Sequence, residues 1–421
     1  MTINTNWQIK VGTFDAPVDF TSRVFNMSIK QNCGVNRFGR GTASFSLYNN
    51  DGALTPGGGG TYSSTDWFAQ GVFISALTNT GGANTTTAVF HGVVSDFELD
   101  DNGVFSTVTI TARDGFSISG QTSFGDLTAY GEVTLGQALD VALNGFAGYT
   151  VDIQYPRLGK TNDYAQYYDR GGTSVNSLSD STVSNVTFAD IWEKILLPTA
   201  NAIAWPTTIN SVISNTVQYE LNVIFRNMTR TAANSVNFIF DQGTLGANEL
   251  PFTNFQQGFT NNEVVTAATY KGLYTGASSV TTINNTASAK YGPRSVSFNS
   301  TTSTNATNVT SLADEMVNRY STARFIPDRL SLTASQVRSK ALDSAHSYWY
   351  NLLSINIGLW QKASVTWTGK GAIVQTADLI IDGRVITVTP EDTIITLSFQ
   401  SWTDNHSFIL NTDKLDIDRL G

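Results

Sequence analysis

The stretch Arg40-Gly41-Thr42-Ala43-Ser44-Phe45-Ser46-Leu47-Tyr48-Asn49-Asn50-Asp51-Gly52-Ala53-Leu54-Thr55-Pro56, followed by Gly57-Gly58-Gly59-Gly60, decides how the chain is read. Ala43, Phe45 and Leu47 alternate with Thr42, Ser44, Ser46 and Tyr48, the period-2 pattern of a strand with one buried face. Asn50-Asp51-Gly52 supplies residues that tolerate positive φ, so the strand ends in a tight turn. The glycine run has no Gly-Lys-Ser/Thr after it, which rejects a phosphate-cradling loop and predicts a flexible tether. The whole reads as antiparallel β-structure.

Working outward, residues 24–29, 72–77 and 89–94 read as further strands, and 96–105 turns through Asn102-Gly103 into the alternating stretch 107–114. Strands at short spacing without helices between them predict a β-barrel domain over 1–125. From Val133 the apolar spacing becomes helical, and a polar loop over 159–184 precedes a second helix at 187–197 that Pro198 stops. With strands at 217–225 and 236–241, residues 126–252 form a middle α+β region. Strands at 263–270 and 291–298, helices at 311–320 and 335–353 around a strand at 329–333, and a closing pair at 377–388 and 392–399 make 253–421 a β-rich domain. The expected fold class is mainly β with α+β insertions. No internal periodicity is evident, which argues against a repeat-built fibre.

With 421 residues the chain can hold roughly two to four cores. Charged residues make up 14%, against the ~25% usual in soluble domains, so the surface rests on hydroxyls and amides and suits protein–protein contact. A net charge of −9 argues against a dedicated nucleic-acid binder but allows a conduit whose wall repels phosphates. The N-terminus lacks the basic and apolar regions of a secretory signal, and no run approaches the ~20 apolar residues of a membrane span. The expectation is a soluble protein made in a cytoplasm, with no membrane anchor. Its single cysteine, Cys33, excludes an intrachain disulfide and reads as a small, partly buried residue.

The small-polar strand running into Asn-x-Asp-Gly and Leu-Thr-Pro-Gly resembles the opening domain of bacteriophage minor tail proteins, the hubs of the tail tip or baseplate. Tyr291-Gly292-Pro293-Arg294 is similar to the family's Tyr-Gly-x-Arg strand, residues 313–321 to the helix that follows it, and 393–402 with Phe408-Ile409-Leu410 to its closing strands. The resemblance implies a trimeric ring in which each subunit contributes two tube-like β-barrels, so that six barrels mimic six-fold symmetry around a channel for ejected DNA. Implied partners are a distal tail or tail tube protein, the tape measure protein, and a tail fibre or spike. The implied location is the virion tail tip, after synthesis in the host cytoplasm. Barrel edges expected to pair between subunits are 42–48 and 104–112, with Thr42, Ser44, Ser46, Tyr48, Thr107, Thr109, Thr111, Tyr62 and Trp67 as interface candidates. Larger hubs carry lytic extensions, and the last strand here lies close to Gly421, so wall digestion is expected to reside elsewhere.

No catalytic constellation emerges, and no cofactor or metal is expected. His91, His346 and His406 each stand apart from other potential ligands, and the Asp413–Asp418 run lacks the glycine and distal Glu of a calcium loop. A polysaccharide-cleaving tail protein would need paired carboxylates across a groove, whereas the carboxylates here are scattered. A receptor-binding adhesin would use exposed loop aromatics such as Trp67, Tyr62 and Tyr167-Tyr168. A hexameric distal tail protein, with one barrel per chain, is the remaining alternative.

Overall fold

The computed structural model describes residues 6–34 (without 14–15), 37–101 (without 81–82), 103–114, 133–134, 174–175, 193, 198, 203–213, 216–224, 236–240, 245, 249–301 (without 253, 261–263 and 273–275), 306–340, 349–354, 359, 362–368 and 374–401. The strands are β1 (Trp7–Gly12), β2 (Val18–Asp19), β3 (Val24–Gly34), β4 (Arg37–Tyr48), β5 (Gly71–Thr80), β6 (Ala83–Asp101), β7 (Ser106–Arg113), β8 (Val133–Thr134), β9 (Ser174–Val175), β10 (Ile203–Ile213) and β11 (Thr216–Ile224). They continue with β12 (Val236–Phe240), β13 (Glu249–Phe252), β14 (Asn254–Thr260), β15 (Ala267–Gly272), β16 (Val280–Ile283), β17 (Ser295–Thr301), β18 (Arg324–Thr333), β19 (Lys362–Thr368), β20 (Val374–Val388) and β21 (Thr393–Ser401). The helices are α1 (Asn285–Tyr291), α2 (Ala306–Tyr320) and α3 (Ala334–Lys340). The protein is thus mostly β with few helices, and among the described residues no barrel closes on itself.

One sheet runs through most of the chain in the order β13-β12-β19-β20-β3-β4-β7-β6-β5-β1-β2, with β21, β18 and β14 following in turn from the other side of β20. Alternation sets its faces: Ala43, Phe45 and Leu47 of β4 and Val108, Ile110 and Ala112 of β7 are buried, with hydroxyl-bearing neighbours on the opposite face. Two strands serve two layers each. β6, which sequence patterning divides in two, is continuous over 19 residues; its first part pairs with β5 and its last with β7, across a bulge between Val94 and Asp96. β20 likewise pairs first with β19 and then with β21, across a bulge between Ile381 and Gly383. The apolar faces of these layers meet in one core that includes Ile9, Ile74, Phe45, Phe238, Val365 and Leu397.

The two ends of the chain join at β3 and β20, where residues 27–32 pair antiparallel with residues 383–388. Met27, Ile29, Ile386 and Val388 are buried at this joint, each side chain contributing roughly 1.5–3 kcal/mol of hydrophobic stabilisation. Arg384 is buried beside them, with no carboxylate bonded to it among the described residues. Its Nε donates to Gln31 Oε1 at 2.6 Å, and Nη1 donates to the carbonyls of Ser354, at 2.8 Å, and Leu352. Residues 349–353 are helical, so those carbonyls lie at the negative end of a helix. Burial pulls the guanidinium pKa down to about 9, and it stays charged at neutral pH.

Between β14 and β18 the chain makes a small unit of its own, the sheet β16-β15-β17 with α2 packed on it through Ala268, Tyr270, Leu312, Met316 and Val317. Tyr291, expected to open a strand, instead ends α1, with Asn284 capping that helix by accepting from Ala287 N at 2.9 Å. β12, which sequence places with β13 in the middle region, pairs in parallel with β13 on one side and with β19 on the other. Val133 and Thr134 pair with β9 as a short strand instead of opening a helix. The rest of that helix, and all of the helix at 187–197 except Glu193, lie outside the described residues.

Two outcomes follow from buried charge. Arg384→Ala leaves Gln31 and two carbonyls without their donor and should cost about 3 kcal/mol in urea unfolding, with Arg384→Lys a poor rescue because an ammonium has no planar fork. His91 is fully buried on β6 beside Phe73, and burial holds its imidazole pKa at about 4. The unfolded chain takes up this proton first as pH falls, so the contribution is whole above about pH 6.5 and is lost on the way down to pH 4. The loss is on the order of 3 kcal/mol. Melting curves of the wild type and His91→Leu between pH 7.5 and 4.5 should therefore diverge, the variant lacking this component of the acid loss.

Candidate assembly edges

The signature stretch acts as a clamp. At the end of β4 Asn49 is wholly buried: its Nδ2 donates to Thr55 Oγ1 (3.0 Å) and Ser106 Oγ (3.1 Å), and its Oδ1 accepts from Leu54 N (2.8 Å). Asn50 Oδ1 accepts from Ser106 N at 3.0 Å, tying the same turn to the start of β7. Asp51 pairs with Arg23 through two bonds of 2.8 and 2.6 Å, and the Arg23 guanidinium holds its carboxyl down at about 2. Gly52 takes the positive φ of 68° that the sequence anticipates. The glycine run is not a loose tether: Gly58 N bonds Thr55 O, Ser63 N bonds Gly60 O, and a Cβ on Gly60 would stand 2.5 Å from Gly52 O.

Beyond the clamp, the sheet is built twice. Its central run of eight strands, β6-β7-β4-β3-β20-β21-β18-β14, divides into two four-stranded units joined at β3 and β20. The chain visits β3, β4, β6 and β7 in the first and β14, β18, β20 and β21 in the second, so each unit is traced in the same spatial order. The match extends to single residues. Asp96 to Asp101 pair with β7 as Gly383 to Val388 pair with β21, each after a bulge. At the bulges Ser95 Oγ donates to Thr111 O (3.2 Å), and Ser398 Oγ donates to Asp382 Oδ1 (2.7 Å). Ser46 Oγ lies 3.1 Å from Thr109 Oγ1, and Ser331 Oγ lies 2.9 Å from Thr396 Oγ1 at the equivalent place. Flanking strands repeat too, β5-β1-β2 beside β6 and β19-β12-β13 beside β20, although β1 is antiparallel to β5 whereas β12 is parallel to β19. Sequence inspection shows no repeat because the duplication preserves alternation and register more than identity.

At the two ends of this central run a strand edge remains open among the described residues. β14 pairs with β18 alone, and the last part of β6 pairs only with β7, its other side running on past β5. No family model matches the sequence, and no curated protein does. Solved structures do match along nearly the whole chain. The tail protein from Neisseria meningitidis MC58 aligns over 94% of this chain and 96% of its own, with TM-score 0.56 and 8% identity. The 43 kDa tail protein of prophage MuSo2 from Shewanella oneidensis aligns over 94% and 98%, with TM-score 0.53 and 11% identity. The chain has the fold of phage tail proteins.

Within this tail-protein fold, the expected edges prove to be interior strands. β4 lies between β3 and β7, and β7 between β4 and β6, so neither 42–48 nor 104–112 can accept a further strand. Their hydroxyls nevertheless converge: Ser44 faces Thr111, Ser46 faces Thr109, Tyr48 faces Thr107, and Thr42 sits opposite Arg113 on one half-exposed face. That face continues through Ser28 and Thr387 to Thr396, Ser331 and Asn254, and ends at β6 in exposed Asp96, Glu98 and Asp100. Trp67 is only 5% exposed and stacks on Phe97 at 5.1 Å, so it packs in the core and is not an exposed loop aromatic, while half-buried Tyr62 meets Phe20 edge-on at 5.1 Å.

Tyr167-Tyr168, His346, His406 and the Asp413–Asp418 run lie outside the described residues. Among the described residues no group of three or more His, Cys, Asp or Glu could hold a metal ion, and no helix is long and apolar enough to cross a membrane. Sequence reasoning missed both open edges, because openness depends on which distant strand arrives beside each one. Asn49→Ala, which removes three hydrogen bonds of the clamp, two of them buried, should lower stability by about 3 kcal/mol in urea unfolding without altering the far-UV spectrum.

Proposed function

We propose that the chain is a structural component of a phage tail tip, a hub in which three copies close a ring around a channel for DNA. The observation that carries this reading is the duplicated four-stranded unit. Two units per chain make six in a trimer, which matches a six-fold tube on one side while remaining three-fold for a spike or fibre on the other. A hexameric distal tail protein needs one unit per chain, so the duplication favours the hub. Each unit with its flanking strands would correspond to one tube-like barrel, the second reaching back to β12 within the three-part division of the chain. The interface candidates on the hydroxyl face, from Thr42 to Tyr48 and Thr107 to Thr111, would then line the channel or meet the tape measure protein.

On this reading the protein works by assembly and not by catalysis, and its partners are itself, a distal tail or tube protein, the tape measure protein, and a fibre or spike. The acidic end of the polar face would discourage DNA from adhering in transit. Light scattering of the purified protein over a concentration series, with negative-stain images, should give about three times 45.5 kDa and a pseudo-six-fold ring with a central hole. Six copies per ring would replace the hub by a distal tail protein. A monomer that cleaves host polysaccharide would overturn the structural role.

A further inference from the structure

The duplication also locates the contact between copies, an inference that rests on the ring reading above. Inside the chain, β20 lays residues 383–388 along residues 27–32 of β3. The residues of β6 equivalent to 383–388 are 96–101, and no described strand covers that side of them. The strand equivalent to β3 is β14, whose outer side is likewise uncovered by any described strand. Each open edge therefore duplicates one that is already engaged at the internal joint.

We infer that residues 254–260 of one copy pair antiparallel with residues 96–101 of the next, repeating the β3–β20 joint between chains. The register follows from the equivalences. Ser44 and Arg329 occupy the same place, since their partners Thr111 and Ser398 do, and Ser28 and Gln256 are opposite them. Ser28 faces Thr387, the counterpart of Asp100, so Gln256 of one copy faces Asp100 of the next. The same alignment puts Phe255 opposite Asp101 and Gly258 opposite Glu98.

Charge selects a second copy, joined head to tail, as the occupant. The β6 edge carries exposed Asp96, Glu98 and Asp100 on the polar face, whereas residues 254–260 contain no charge. Behind β14, exposed Arg329 is opposite Gln256, which sets Asp100, Gln256 and Arg329 in one row across the contact. Pairing two β6 edges with each other would instead crowd like carboxylates. The half-buried rings of Phe97 and Phe255 lie along the two edges and would gain cover.

The test is oxidative crosslinking of Asp100→Cys with Gln256→Cys in one Cys33→Ser chain, with Thr42→Cys and Gln256→Cys as the control pair. The contact is supported by a covalent ladder that ends at three chains for the first pair and is absent for the control. Amide exchange of the unmodified protein gives an independent reading that does not depend on the variants folding. Residues 96–101 and 254–260 should slow at least ~100-fold from dilute monomer to assembled ring, while β3 and β4 stay unchanged. Rings that form with neither crosslink nor added protection would overturn this contact and leave the ring standing. A chain that stays monomeric at every concentration would overturn both.

Discussion

The pairing of residues 27–32 with residues 383–388 is the constraint on which the rest of the architecture depends. It joins strands more than 350 positions apart and turns two β-units into one sheet. Loop closure of that span costs little more than a short one per doubling of length, but it has to be recovered by contacts at the joint itself. Met27, Ile29, Ile386 and Val388 supply the apolar part. Arg384 supplies direction, because only the observed register sets its Nε against Gln31 and its Nη1 against the end of the helix at 349–353. A buried cation among neutral acceptors is a poor net source of stability, although removing its partners or the cation itself is costly. The counterpart of Arg384 in the first unit is Phe97, which stacks on Trp67, so the internal joint is polar where the open edge is aromatic.

The bulges explain how one strand can belong to two layers. An extra residue bends β6 after Val94 and β20 after Ile381, so that each leaves the layer of its flanking strands and enters the central run. A hydroxyl bond secures the bend in both units: Ser95 donates to the Thr111 carbonyl, and Asp382 accepts from Ser398. Burial pushes the Asp382 carboxyl pKa upward, with Ser398 and Gln400 opposing the shift. The donor and acceptor roles differ between the units while the bulge keeps the same place in each.

Much of the local structure is legible in the sequence. Alternation marks β4 and β7 and the hydroxyl face between them, Asn50-Asp51-Gly52 marks the turn, and apolar spacing marks α2. These features depend on neighbours a few positions away. What is not legible depends on partners brought from afar. Ser46 and Ser331, Leu47 and Leu332, and Thr109 and Thr396 are identical across the duplication, yet their neighbours share only polarity, so no repeat stands out. The same limit explains the misplaced edges: an alternating strand has the same composition whether one or both of its sides are paired. It also explains Trp67, whose loop reads as exposed until Phe20 and Phe97 arrive from elsewhere in the chain. The glycine run similarly looks flexible until Gly60 is seen packed against the backbone of Gly52 and Ala53.

An open strand edge invites indiscriminate pairing, and the two edges here manage that hazard differently. The β6 edge is protected by charge, since Asp96, Glu98 and Asp100 repel any second acidic edge, including that of another copy. The β14 edge is uncharged, but it is short, at seven residues, and its pairing with β18 slips by one position between Gln256 and Gln257. The acidic β6 edge does not suit its own copy, while the uncharged β14 edge brings no repulsion to it. The charge argument disfavours a two-fold contact through β6, and the head-to-tail contact inferred above would end either in a closed ring or in a filament according to the rotation at each contact. The chain already contains the equivalent pairing between β3 and β20, so a contact that repeats it would take its rotation from a geometry present within each subunit.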